Sequence, residues 1–287
     1  MTPLSFLTDR VAVLATKHHK EQAIAPLLHR QFNLQVIVPP EFDTDAFGTF
    51  TREVKRLGTQ IEAARLKAKK AMSLTGETLA LASEGTFGPH PAIPYIPHNR
   101  EIILLLDTAN DLEIIAEEVS TETNYAHQLV STPEQAYSFA QSVGFPDHAL
   151  VVIVGDAARG DGEIIKGITT EEQLFEAVEF ARKRSSDGRV HLETDMRAMY
   201  NPTRMKVIAK ATENLIQKLH QFCPQCSWPG FDAIARQPGL PCQLCQLPTP
   251  LTRSLIYHCQ KCGLREEKLY PDGRQTADPT YCHYCNP

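Results

Sequence analysis

The sequence predicts an α/β domain, a mixed sheet flanked by helices, followed by a small cysteine-rich module. Three observations carry this reading. Short apolar runs rich in Val, Ile and Leu alternate along residues 1–220 with segments whose apolar residues recur at helical spacing. Capping and turn residues stand at the joins between them. All eight cysteines fall after residue 222, so the chain changes character there and divides into domains 1–220 and 221–287.

The elements follow in order. Arg10–Thr16 reads as a buried strand, Lys20–Phe32 as a helix and Leu34–Val38 as a second strand. Residues 39–50 (PPEFDTDAFGTF) form a polar loop. The spacing of Ile61, Ala64, Ala68, Ala71 and Met72 predicts a helix over 59–75, closed by Gly76. Leu79–Ser83 is a strand running into the loop Glu84-Gly85-Thr86-Phe87-Gly88-Pro89-His90-Pro91. Arg100–Asp107 and Leu112–Ser120 read as a hairpin turning at Asn110-Asp111. Thr132-Pro133-Glu134-Gln135 opens a helix with a cap, a first-position proline and a capping-box partner. Ala149–Val154, Glu163–Gly167 and Val190–Glu193 are further strands. Thr169-x-x-Glu172 caps a helix to Arg184, and Asn201-Pro202 opens the last, to His220.

With 287 residues, 42% of them hydrophobic and 22% charged, the chain is long enough to bury a core. No apolar run approaches a membrane-spanning length. The first ten residues lack the basic start and apolar stretch of a secretory leader, so the expected location is the cytoplasm. A net charge of -5 gives no global attraction to nucleic acid.

The cysteines form four Cys-x-x-Cys knuckles, Cys223/Cys226, Cys242/Cys245, Cys259/Cys262 and Cys282/Cys285. Two residues between thiolates let one turn present both sulfurs to a tetrahedral ion. Gaps of 15 and 19 residues within successive pairs predict two consecutive zinc ribbons, 223–245 and 259–285. First knuckle with third and second with fourth is the alternative. Four thiolates close the coordination sphere, which makes both zinc ions structural. A redox role would need a Cys-x-x-Cys beside a βαβ unit. Lys261, Arg265, Lys268 and Arg274, with aromatics such as Trp228, Tyr281 and Tyr284, offer a surface to nucleic acid or protein; Glu266, Glu267, Asp272 and Asp278 dilute its charge.

Three polar segments in the large domain suggest chemistry. Thr16-Lys17-His18-His19-Lys20 joins a strand to a helix, where amides, a hydroxyl and two ammonium groups converge on an anion; its bland counterpart is a solvated loop. Glu62, Arg65 and Lys69 share a face of the second helix, with Lys67 and Lys70 off it. Glu84 ends a strand, where a carboxylate can hold Mg²⁺ or orient water. Arg197 and Arg204, around the last helix start, can clamp a phosphate, or Asn201 simply caps that helix while Asp195 pairs with an arginine. His90, in its proline-flanked loop, can serve a leaving group or pack the loop.

Taken in order, these segments resemble the inosine triphosphate pyrophosphatase-like nucleotidases, which cut non-standard nucleoside triphosphates to monophosphate and pyrophosphate. Thr16 to Lys20 is similar to that family's Thr/Ser-x-Asn-x-x-Lys phosphate turn, with His18 where Asn is expected and the lysine one place early. Gly58–Ala68 is similar to its Gly-Thr-x-x-Glu-Asn-Ala-x-x-Lys-Ala helix, matching at Glu62 and Lys67, with Ala63 for Asn. Thr203-Arg204-Met205-Lys206 resembles its nucleotide-contacting Ser/His-Arg-x-x-Ala segment. The resemblance implies a Mg²⁺-dependent pyrophosphohydrolase in which Thr16, Lys17, His18, Lys20, Lys67 and Arg204 hold phosphates while Glu62 and Glu84 hold Mg²⁺ and activate water. Its alternative is a nucleotide- or anion-sensing protein whose ribbons dock on nucleic acid or protein. Overall the chain is more similar to a family of bacterial proteins without assigned activity that pair such a domain with four knuckles. The strings EGTFGPHP (84–91), TNY (123–125), DMRAMYNPTRM (195–205) and CNP (285–287) carry that similarity.

Overall fold

The structure is a computed structural model that describes residues 4–40, 42, 58–154 and 163–287. Most of the polar loop expected at 39–50 lies outside the described residues. The chain divides into two compact units, one from Leu7 to Leu215 and one from Ile216 to Pro287 that also includes the start of the chain through Phe6. The division therefore falls inside the last helix rather than at residue 220.

The larger unit contains two sheets where the sequence suggested one mixed sheet. The first has the order β2-β1-β3-β4-β5, built from β1 (Val11–Ala15), β2 (Gln35–Ile37), β3 (Leu79–Pro89), β4 (Pro97–Asp107) and β5 (Leu112–Ser120). Strands β2, β1 and β3 are parallel, and β3, β4 and β5 antiparallel. Helix α1 (Glu21–Phe32) links β1 to β2 and α2 (Gln60–Thr75) precedes β3. A capping box between Thr59 and Glu62 starts α2, and Gly76 in the left-handed region ends it. Four small or flexible residues of α2 (Ala64, Ala68, Ala71, Met72) pack on Val13, Ala15, Ala80, Ala82, Ile102 and Leu104, so this helix covers the even-numbered face of β3.

Strand β3 outruns the expectation by six residues because β4 pairs with it along its whole length, from Leu79↔Asp107 to Pro89↔Pro97. Strand β1, by contrast, pairs only with Ala80–Ala82. Beyond Ala82 the β1 side of β3 has no neighbouring strand in the described residues.

The second sheet, β6-β9-β7-β8, is wholly antiparallel. It comprises β6 (His127–Val130), β7 (Leu150–Ile153), β8 (Ile164–Ile168) and β9 (Val190–Thr194), with α3 (Pro133–Ser142) and α4 (Glu171–Arg184) packed on it. Helix α4 is capped by Thr170 with Gln173, one residue later than expected. Helix α5 (Pro202–Leu219) closes the unit.

The smaller unit is a three-stranded antiparallel sheet, β10 (Asp232–Pro238), β11 (Thr252–His258) and β12 (Arg265–Leu269). Phe6 stacks on Trp228 within it, with ring centroids 5.5 Å apart. Among the described residues no helix is long and apolar enough to cross a membrane.

Candidate functional site

The knuckles of the smaller unit share one construction. In each, the first cysteine's carbonyl accepts from the N–H four residues on, at Ser227, Gln246, Gly263 and Asn286. Ser227, Gln246 and Gly263 adopt the positive φ that tightens the turn. The sheet then decides which knuckles meet. Each strand carries the chain from one end of the sheet to the other, and a seven-residue strand spans about 20 Å. Knuckles one and three lie at the end marked by Asp232↔His258 and His258↔Arg265. Knuckles two and four lie at the opposite end, where Ala277 bridges to Cys242.

The cysteines accordingly assemble as Cys223, Cys226, Cys259 and Cys262, and as Cys242, Cys245, Cys282 and Cys285. This corrects the consecutive assignment, Cys223–Cys245 and Cys259–Cys285. Spacing arithmetic treats the 15 intervening residues as a slack loop, whereas they contain β10. Within each group all sulfurs lie within 4.8 Å of one another, and neighbouring pairs stand 3.5 to 3.9 Å apart. That is far beyond a disulfide and close to the ~3.8 Å edge of a tetrahedron with 2.3 Å metal–sulfur bonds. Both groups can hold a metal ion such as zinc.

In the larger unit the charged residues gather where β1 stops and β3 continues. The β1–α1 turn is shaped by Thr16, whose Oγ1 accepts from His18 N–H at 3.1 Å, and by His19 at φ 57°. It directs Lys20 inward and leaves Lys17 exposed and His18 half-buried. The Lys20 ammonium takes the position of the missing β1 rung, donating to the Ser83 carbonyl at 2.7 Å and lying 3.2 Å from Ser83 Oγ. Alternation along β3 then separates two charge pairs. Glu84 projects onto α2, where it pairs with Lys67, while Gln60 on the same helix donates to the Glu84 carbonyl at 2.6 Å. Ser83 projects from the other face with Glu101 of β4, Oγ to Oε2 3.1 Å. Glu101 Oε1 accepts from Arg204 Nε at 2.6 Å, and Arg204 Nη1 also donates to the Met196 carbonyl at 2.5 Å.

Arg204 is thus a meeting point for segments far apart in sequence. Its guanidinium lies 5.3 Å from the Phe87 ring centre, and Phe87 stacks on Tyr125 at 5.9 Å. Asn201 caps α5 by accepting from Arg204 N–H at 2.9 Å, and donates to Asn124 Oδ1 at 2.8 Å. Three of the four strings noted in the sequence, around 84–91, 123–125 and 195–205, converge here. Gly85 makes the convergence possible, because a Cβ at that position would collide with the Glu101 carboxylate and the Arg204 guanidinium. Gly85→Ala is expected to destabilise the chain by about 1–3 kcal/mol through overpacking, read as a lower denaturation midpoint.

Electrostatics single out Lys20. Burial first, and then the Arg204 guanidinium, lower its pKa from 10.5 to about 7, against the opposing pull of Glu101 and Glu84. The cluster holds three buried cations (Lys20, Lys67, Arg204) and two buried carboxylates (Glu84, Glu101). Each carboxylate has its own cation in Lys67 or Arg204. Among the described residues Lys20 has no carboxylate partner.

Other expected residues lie elsewhere. Glu62 is exposed and spent on the capping box, its Oε2 accepting from Thr59 N–H at 2.7 Å, a bond that with the Thr59 hydroxyl holds its pKa below the ordinary value. Glu62 and Glu84 therefore do not form a cation site, since one faces solvent and the other is locked to Lys67. His90 lies just past the end of β3, six residues beyond Glu84 and roughly 20 Å along the chain from it, edge-on to His98. Arg197 is engaged with Asp195, Nη2 to Oδ2 2.6 Å, and lies over Tyr200. Sequence reasoning found no serine nucleophile motif and gave Ser83 no role beside Glu84, and it passed over Glu101. The signal for Glu101 was parity, since it alternates with Ile103 and Leu105 on a buried strand face. Asn99 belongs to the same face, and its Oδ1 is buried with no hydrogen-bond partner.

The chain matches a domain of unknown function (DUF6671) over residues 67–287. No curated protein matches the chain.

Proposed function

The chain belongs to the DUF6671 family, and from that premise we propose that its larger unit hydrolyses nucleoside triphosphates or a related phosphorylated small molecule, while its smaller unit carries two structural zinc ions. The observation that carries the first half is the buried Lys20 ammonium without a carboxylate. It stands beyond the end of β1, at the C-terminal edge of the parallel strands, where ligands of open α/β sheets bind. A phosphoryl group would supply the negative charge missing from a cluster that holds three buried cations against two buried carboxylates. The unsatisfied Asn99 oxygen on the Glu101 face supports a ligand with a hydrogen-bond donor. Magnesium would arrive on the ligand's phosphates, since no cluster of three or more ligating side chains other than the cysteines occurs among the described residues. The four-thiolate donor sets favour zinc and a reducing compartment such as the cytoplasm.

The test is release of phosphate and pyrophosphate from a panel of standard and deaminated nucleoside triphosphates with Mg²⁺. Turnover by the wild type is expected, and calorimetry should detect binding of the same nucleotides. Lys20→Met is expected to lose binding. Absence of both release and binding across the panel would overturn the reading.

A second reading rests on the smaller unit. Leu244 is 73%, Tyr284 74% and Tyr281 52% exposed around the second cysteine group. Such a surface suits contact with nucleic acid or protein, with the larger unit acting as an anion sensor.

A further inference from the structure

We infer that Ser83 and Lys20 form a nucleophile–base dyad, in which the Ser83 hydroxyl attacks the ligand's phosphorus and the Lys20 amine takes its proton. This deepens the hydrolase reading and rests on it.

Three features of the geometry support the dyad. First, Lys20 Nζ lies 3.2 Å from Ser83 Oγ and is held there by its 2.7 Å bond to the Ser83 carbonyl. Nucleophile and base are thus within the reach expected of such pairs. Second, the Ser83 hydroxyl donates to Glu101 Oε2 at 3.1 Å, Glu101 is itself fixed by Arg204, and rotation of the O–H from Glu101 toward the neutral Nζ, 3.2 Å from Oγ, must precede the transfer. Nucleophile, base and orienting group therefore come from β3, the start of α1 and β4. Third, β1 ends at Ala15, opposite Ala82 of β3, so no described strand flanks Ser83 on that side.

The charges agree with this assignment. A lysine kept for structure normally faces a carboxylate, but here both nearby carboxylates belong to Lys67 and Arg204. The charged groups around Lys20 are Arg204 on α5, Glu101 on β4, Glu84 on β3 and Lys67 on α2, and together with burial they lower its pKa to about 7. A large share of the amine is then neutral near neutral pH, as a general base requires.

The reaction balances without a co-reactant other than water. Ser83 Oγ bonds to phosphorus, and the bond from phosphorus to the leaving oxygen breaks with its electron pair. The hydroxyl proton passes to Nζ and then to the leaving oxygen. Water attacks the phosphoseryl group, Nζ receives its proton, the Oγ–P bond breaks and Ser83 regains a proton.

A fluorophosphonate ester, used on the zinc-loaded full-length chain with peptide mapping by mass spectrometry, tests the dyad without knowledge of the substrate. Labelling of Ser83 is expected, with a rate that climbs as Lys20 deprotonates and levels off above about 7. Lys20→Met should slow it by on the order of 100-fold, and Ser83→Ala should abolish it. Ser83→Thr, which keeps the hydroxyl, guards against a folding defect. No label on Ser83, or a rate indifferent to Lys20→Met, overturns the dyad. Labelling with a silent nucleotide panel would refute the substrate reading and leave the dyad standing. Nucleotide turnover that persists at the wild-type rate in Ser83→Ala would refute the dyad alone.

Discussion

A chain carrying Cys223→Ser and Cys259→Ser is expected to retain one zinc ion per molecule, and a chain carrying Cys223→Ser and Cys242→Ser to retain none. The first pair removes two ligands from the same group and the second removes one from each. Consecutive ribbons would give the opposite result, so metal analysis after dialysis against a weak chelator decides the pairing directly. The effect should be large. Apparent binding free energies of structural zinc reach about 10–16 kcal/mol near neutral pH and are at the same time folding free energy. The smaller unit has a thin core, its buried cluster consisting of Phe231 and two of the cysteines with Trp228, Tyr257 and Leu264 packed against it. Chelation should therefore abolish its β-structure cooperatively, visible as loss of the far-ultraviolet strand signal.

Arg204→Met is expected to destabilise the larger unit by about 3–5 kcal/mol, the cost of leaving a buried charge without its partner. Glu101 has no exposed surface and Arg204 almost none, so neither can recruit water in compensation. The same reasoning predicts that Arg204→Met combined with Glu101→Leu recovers most of that loss, because removing both charges removes the desolvation penalty along with the attraction. Denaturant unfolding of the single and double variants measures this coupling. A double variant that is stable yet inactive would separate the pair's role in binding from its role in holding the fold. Equal losses in single and double variants would instead mean that the hydrogen bond to Met196 and the contact with Phe87 matter more than the ion pair.

What could be read from the sequence was mainly local. Thr59, Glu62 and Gly76 announce both ends of α2 because capping chemistry acts over four residues. Pro133 and Thr132 do the same for α3. Where two threonines stand side by side the choice slips by one, as with Thr170 and its partner Gln173. Non-local pairing left weaker traces. β6 is short and mostly exposed, so His127–Val130 carries no apolar alternation. Nothing local shows that β7, β8 and β9 leave the first sheet for a second. The polar residues around β3 were mostly visible as types, and Lys20, Lys67, Glu84 and Arg204 do lie around one strand. Period-two geometry nevertheless puts Ser83 and Glu84 on opposite faces, and that division decides which carboxylate meets which cation.

The alternation of the knuckles between the two ends of the small sheet also bears on how the metals are acquired. The segments closed by the two groups, 223–262 and 242–285, overlap in the chain instead of following one another. No single cut between residues 242 and 262 leaves either coordination sphere whole. Once one ion is seated and the strands between are drawn together, the second pair of knuckles is already brought side by side, and its loop-closure entropy has largely been spent. Loading should thus be concerted, with half-metallated molecules scarce in a zinc titration, and the unit inherited, truncated or fused only as an undivided whole.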